Sequence, residues 1–219
     1  LNKKRKSNAY SLEEKISLGI LVVMHLVGAG LLIFSRGGLY MLTLDLVPLQ
    51  LIFTTLIILK FQKGWNLSLL IYIGFSFVIG FLVELVGVNT GWPFGDYSYG
   101  PVLGTQILGT PLLIGLNWFL VSYISGCIVQ KLPVSFWLKV VAGTFLMVAL
   151  DFFMEPIAMK HNFWNWKNGF IPNQNYLAWA VVSFFILSIY QLGTWNKENS
   201  IAPWVYVVML MFFVIQNIF

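Results

Sequence analysis

The chain has 219 residues, of which 58% are hydrophobic and 10% charged, with a mean hydropathy of +0.81. A soluble globular domain carries about a quarter charged residues, so this composition excludes one and points to an integral membrane protein. The single cysteine, Cys127, lies in an apolar stretch, which rules out an intrachain disulfide, a thiolate metal cluster and a CxxC redox pair. Lys3, Lys4, Arg5 and Lys6 supply most of the net charge of +5. Beside a first span, such a run is a topology signal and a lipid-headgroup contact rather than a nucleic-acid site.

At about 20 residues per crossing, seven helices with short loops use almost the whole chain and leave no soluble domain. The expected class is all-α: a polytopic membrane bundle of about seven transmembrane helices. Residues 1–15 form a basic cytoplasmic segment and residues 16–219 a single helical membrane domain. The leading Leu1 suggests a start that was trimmed or omitted. The first helix is expected over Ile16–Phe34; it is too long for a signal h-region and lacks a small-x-small cleavage site. It carries His25 near its middle, which reads first as a hydrogen-bonded packing residue and second as a proton carrier.

The second helix is expected over Leu39–Leu59, with Asp45 two turns in and a proline, Pro48, that neighbouring helices can absorb. Lys60–Asn66 is a polar loop. The third helix runs from Leu67 to about Val86 and carries Glu84 near its end. The loop Gly87–Pro111 is rich in glycine and proline and has no lysine or arginine; Gly87, Gly91, Gly95, Gly100 and Gly104 read as turn residues. The fourth helix covers Leu112–Gln130 and the fifth Phe136–Glu155, where Pro156 is expected to stop it. An aromatic loop leads to the sixth helix, Gln174–Gly193, and the polar Thr194–Ser200 to the seventh, Ile201–Phe219.

Alternate loops divide Lys and Arg ten to three in favour of the amino-terminal side. The amino terminus is therefore expected in the cytoplasm and the carboxyl terminus outside. On this topology Asp45, Glu84, Asp151 and Glu155 fall in the same outer half of the bilayer. Asp151 and Glu155, four residues apart, share a helix face. Two carboxylates that close, in poor solvent and at the negative end of a helix, resist ionising together, so one is expected to hold a proton. A protonated carboxylic acid in an apolar site is a general acid. Asp45, nearer the positive end of its helix, is a candidate base. The plainer reading has these acids pair with Arg36, Lys160, His161 or Lys167 and hold helices in register. Trp92, Phe94, Tyr97, Tyr99, Trp118, Trp164 and Trp166 are expected around the acids, where ring faces stabilise a cation, although an interfacial aromatic belt also explains some of them.

The residues Glu84–Gly87, Thr90-Gly91, Phe94-Gly95, Tyr97, Tyr99, Pro111, Asn117-Trp118, Asp151, Glu155-Pro156, Ala158 and Trp164-x-Trp166 resemble the membrane carotenoid hydratases of the CruF type. The likeness covers about residues 67–170 and departs where Met159-Lys160-His161-Asn162 replaces the usual glycine after the alanine. It implies water addition across the terminal double bond of an acyclic carotenoid end group, giving a tertiary alcohol, without a redox cofactor or metal. The implied partners are a carotenoid arriving from the lipid phase of the cell membrane and water from its non-cytoplasmic side. Asp151 or Glu155 would donate the proton. Glu84, Asp96 or the other member of the pair would orient and deprotonate water. Thr90, Trp92, Phe94, Tyr97, Tyr99, Asn117, Trp118, Trp164 and Trp166 would shape the substrate site. A carotenoid end-group cyclase is the close rival, since the same protonated end group closes a ring when water is excluded. A proton-coupled transporter would also use intramembrane carboxylates, and a purely structural subunit would not need them. A retinal receptor is excluded, because the seventh helix has no lysine for a Schiff base.

Overall fold

A computed structural model describes residues 10–219; the basic run Lys3–Lys6 lies outside them. Seven helices follow in order: α1 (Leu12–Phe34), α2 (Gly37–Lys60), α3 (Leu67–Thr90), α4 (Leu112–Gln130), α5 (Phe136–Lys160), α6 (Asn173–Leu192) and α7 (Ala202–Ile218). The first six have 19 to 25 residues and the hydropathy of membrane spans. At 17 residues α7 is about 26 Å long, at the short end of the spanning range. The chain is an all-α polytopic bundle in which α4 is buried along most of its length, packed against α2, α3, α5, α6 and α7. The other helices expose leucine, valine and phenylalanine on their outer faces, as lipid contact requires.

Small residues let the helices approach, as is usual where lipid is as apolar as the side chains. Gly115 lies against the Phe77 carbonyl, and Gly126 against the Tyr190 ring. A polar cluster closes the end of the bundle formed by the α2–α3 and α6–α7 loops. There the Gln62 amide donates to the Asn196 carbonyl at 2.7 Å, and Asn199 donates to the Ile58 carbonyl at 2.8 Å and the Tyr123 hydroxyl at 3.1 Å.

Three boundaries differ from the sequence expectation by a helical turn or more. Helix α1 begins at Leu12, because Ser11 caps it and Glu14 reaches back to the Ser11 N–H in a reciprocal capping box. Helix α3 continues a turn past Val86 and ends at the left-handed Gly91. Gly87 is therefore not a turn residue: it is a helical position where a side chain would collide with the Tyr97 hydroxyl. Pro156 does not end α5, which runs on to Lys160; proline removes a single helical bond, and neighbouring helices in a membrane make good the loss.

The loops after α3 and α5 meet. β1 (Tyr97–Tyr99) pairs antiparallel with β4 (Trp164–Trp166), setting Tyr97 opposite Trp166 and Tyr99 opposite Trp164. β2 (Gln106–Ile107) and β3 (Thr110–Pro111) form a second small pair leading into α4. Just past β1 the Gly100 N–H donates to the Phe163 carbonyl at 2.9 Å, and a Cβ at Gly100 would lie 2.0 Å from the Asn162 carbonyl oxygen. Only glycine admits this approach.

Gly80, one turn before Glu84, has Trp118 pressed onto its Cα; a methyl there would lie 2.3 Å from Trp118 Cβ. Gly80→Ala is expected to destabilise the bundle by about 1–3 kcal/mol through overpacking, read as a lower thermal midpoint in detergent. Gly74→Ala on the same helix meets nothing within 4 Å and is expected to leave the midpoint unchanged or slightly higher.

Candidate active site

Three buried carboxylates gather under the β1–β4 pair: Glu84 from α3, and Asp151 and Glu155 from α5. Glu84 Oε2 accepts the Tyr97 hydroxyl at 2.5 Å and the Tyr99 hydroxyl at 2.8 Å, while Oε1 accepts the Trp118 indole N–H at 3.0 Å. Glu155 Oε2 accepts the indole N–H groups of Trp164 and Trp166, both at 2.9 Å, and Oε1 accepts the Asn175 amide at 2.8 Å. Each glutamate thus receives three donors. Asp151 is served differently: Oδ2 meets the Asn175 amide at 3.3 Å and Oδ1 has no partner among the described residues.

The strand pair explains how these donors reach the acids. Side chains alternate along a strand, so Tyr97 and Tyr99 point to one face with Ser98 to the other, and Trp164 and Trp166 flank Asn165 in the same way. The four rings form one layer in contact, Tyr97 with Trp166 at 5.0 Å, Tyr97 with Tyr99 at 5.7 Å and Tyr99 with Trp164 at 5.8 Å. Their polar tips turn toward the helices and their ring bodies seal the acids from above. Burial and the adjacent Glu84 carboxylate raise both phenols well above the ordinary range, so Tyr97 and Tyr99 keep their protons and act as donors. Below them Trp118 stacks on Trp179 at 3.9 Å.

Two cavities adjoin here. A small one is lined by Glu84 and Glu155 together with Phe94, Trp166, Asn175 and Trp179. A larger one, about 110 Å³, extends between α1, α2, α4, α5 and α7 with a mostly apolar wall, and shares Ile114 and Trp164 with the first. The two cavities lie side by side, with Ile114 and Trp164 contributing to the wall of each.

The residues expected from sequence divide accordingly. Glu84, Asp151, Glu155, Tyr97, Tyr99, Trp118, Trp164 and Trp166 come together, with Phe94 edge-on to Tyr97 at 6.1 Å. Asn117 and His25 line the larger cavity, where His25 Nδ1 lies 2.8 Å from the Leu21 carbonyl in the hydrogen-bonded packing role. Asp96 is not brought to the acids: it is exposed, pairs with Lys167 at 3.4 Å, and its carbonyl accepts the Lys167 N–H, pinning one loop to the other. Thr90 holds the turn at the end of α3, accepting the Trp92 N–H at 3.1 Å, and Trp92 is 68% exposed. Asp45 is exposed on α2 and lines neither cavity. Asn175 and Trp179 escaped the sequence reading. Asn175, in the first turn of α6, looks like an ordinary helix-start residue, and its spacing of one turn from Trp179 is the one signal that both face the same neighbour.

The profile described as carotenoid biosynthesis protein matches residues 39–219. Bisanhydrobacterioruberin hydratase of Haloarcula japonica is 28% identical over 192 residues, covering 80% of this chain. The chain spans 64% of the length of that relative. No solved structure matches the chain. With the family profile covering both carboxylate helices and both aromatic loops, the chain belongs to the carotenoid biosynthesis protein family.

Proposed function

We propose that the chain is a carotenoid hydratase, adding water across the terminal double bond of an acyclic carotenoid end group to give a tertiary alcohol. One observation carries this reading: Glu84 and Glu155 line a single cavity from different helices, and that cavity lies beside a larger, mostly apolar one with which it shares Ile114 and Trp164. The name of the Haloarcula japonica relative supports hydration over ring closure.

Glu155, which faces the cavity, delivers the proton to the less substituted alkene carbon and leaves a tertiary cation on its neighbour. The indole and phenol faces of Trp164, Trp166, Trp179 and Tyr97 stabilise that cation and keep out other nucleophiles. A water between substrate and Glu84 attacks the cation and gives up a proton to Glu84, directly or through the Tyr97 or Tyr99 hydroxyl. Return of that proton to Glu155 restores the site, and the net change is one water added. Asp151, one turn earlier on α5, shares the Asn175 donor with Glu155. The charge bias of the loops supports a site at the non-cytoplasmic end of the bundle, where water is at hand.

Expressed in cells that accumulate an acyclic carotenoid, the chain is expected to yield pigment heavier by one water, read by mass spectrometry. Glu155→Gln and Glu84→Gln keep side-chain size but remove the acid and the base and set an amide NH₂ against one of the donors, and should each lower product about 10²–10⁴-fold. Pigment of unchanged mass but altered retention would assign a cyclase instead, and full turnover in both variants would remove the glutamates from the mechanism. Asn175→Leu leaves Glu155 Oε1 and Asp151 without their shared donor. It should lower product about tenfold or more while the protein still accumulates in membranes; wild-type product from this variant would show that Asn175 has no part in positioning the acids.

A further inference from the structure

The larger cavity has a polar station that hydration chemistry leaves unused. At its far end Gln216 of α7 is 1% exposed and lines the wall, and its Nε2 has no partner among the described residues. The side chain is held in place from behind. Its Oε1 lies 2.9 Å from His161 Nε2, and His161 Nδ1 lies 2.9 Å from the Tyr40 hydroxyl of α2. Burial holds the His161 imidazole below its ordinary value, so the ring is neutral, with Nε2–H donating to Gln216 and Nδ1 accepting from Tyr40. The backbone around Gln216 is fixed as well: Asn217 donates to the Phe153 carbonyl at 2.8 Å, tying the end of α7 to α5. A buried amide donor left open is costly unless something accepts from it.

We infer that the Tyr40–His161–Gln216 chain is an oxygen-binding station, and that it takes a hydroxyl carried on an apolar isoprenoid chain lying in the cavity. Water fits the station less well. A buried water holds its place with two to four polar partners, whereas at the station His161 has both nitrogens engaged and Gln216 offers one open group; the other buried side-chain atom without a partner on this wall, among the described residues, is Thr54 Oγ1 of α2. A hydroxyl attached to a hydrocarbon body needs no more than that one bond, since the body is held by the apolar wall. His161 lies six residues beyond Glu155, about 9 Å along the helix axis. The station therefore selects chains that already bear an oxygen some way from the double bond presented to the glutamates. The isoprenoid identity of the ligand rests on the hydratase reading; the open donor and its support do not.

The test uses the full chain purified in detergent and loaded separately with two acyclic carotenoids of equal length, a hydrocarbon and the alcohol with one tertiary hydroxyl. Pigment retained after washing is read by absorbance against protein. Wild type is expected to retain the alcohol about fivefold to tenfold over the hydrocarbon, the effect of one buried hydrogen bond. Gln216→Met should bring the two close to parity without changing retention of the hydrocarbon. Equal retention by wild type, or a preference that survives Gln216→Met, would overturn the assignment. Should Gln216→Met fail to accumulate, Tyr40→Phe removes the outer support and is expected to weaken the preference; an unchanged preference would again overturn it. Retention requires no turnover, so a protein that prefers the alcohol yet hydrates neither pigment would end the hydratase reading and leave the oxygen station in place.

Discussion

The structure depends on filling the lone pairs of carboxylates buried inside an apolar bundle. A carboxylate taken from water into such surroundings carries a penalty of several kcal/mol unless hydrogen-bond donors replace the lost solvent. Glu84 and Glu155 each draw three donors, and five of those six are indole N–H or phenol O–H groups. Tryptophan and tyrosine suit this task because one end is apolar and the other polar. The rings complete the hydrophobic enclosure while their tips satisfy the acids.

This requirement accounts for much of the local architecture. Helix α5 must continue past Pro156 so that the chain can turn back and lay Trp164 and Trp166 over Glu155. Gly87 must lack a side chain so that the Tyr97 hydroxyl can reach Glu84. The β1–β4 pairing fixes the register of all four rings at once, and a slip of one residue would turn every donor away from its acid. The exposed Asp96–Lys167 pair and the bond between their backbones fasten the two loops from the outside. The acids are carried on helices and four of the rings on two loops paired as strands, an arrangement that suits precise proton transfer.

The spans were legible because lipid imposes a simple rule: a long apolar run can satisfy its backbone there only as a helix. The concentration of acids near one end of the bundle was legible for a related reason, since Glu84, Asp151 and Glu155 stand out against apolar neighbours. The aromatic loops announced themselves by composition. Their pairing did not, because nothing in Tyr97-Ser-Tyr99 or Trp164-Asn-Trp166 names its partner strand. Pro156 misled for a physical reason: the local preference of the residue before proline was outweighed by packing on α4, α6 and α7. Asp96 was overvalued because charge in a loop says little about which way the loop faces. The cavity and its Gln216 station were invisible in sequence, as they arise from faces of five separate helices.

In the proposed hydration, a protein acid protonates an alkene and water captures the resulting cation at this site. The most direct test is isotopic: membranes containing the chain are supplied with carotenoid in heavy-oxygen water, and in parallel in deuterated water. The new hydroxyl is expected to carry oxygen from water, and the adjacent carbon to gain one deuterium. A hydroxyl whose oxygen comes from molecular oxygen, or a product without deuterium beside it, would contradict it.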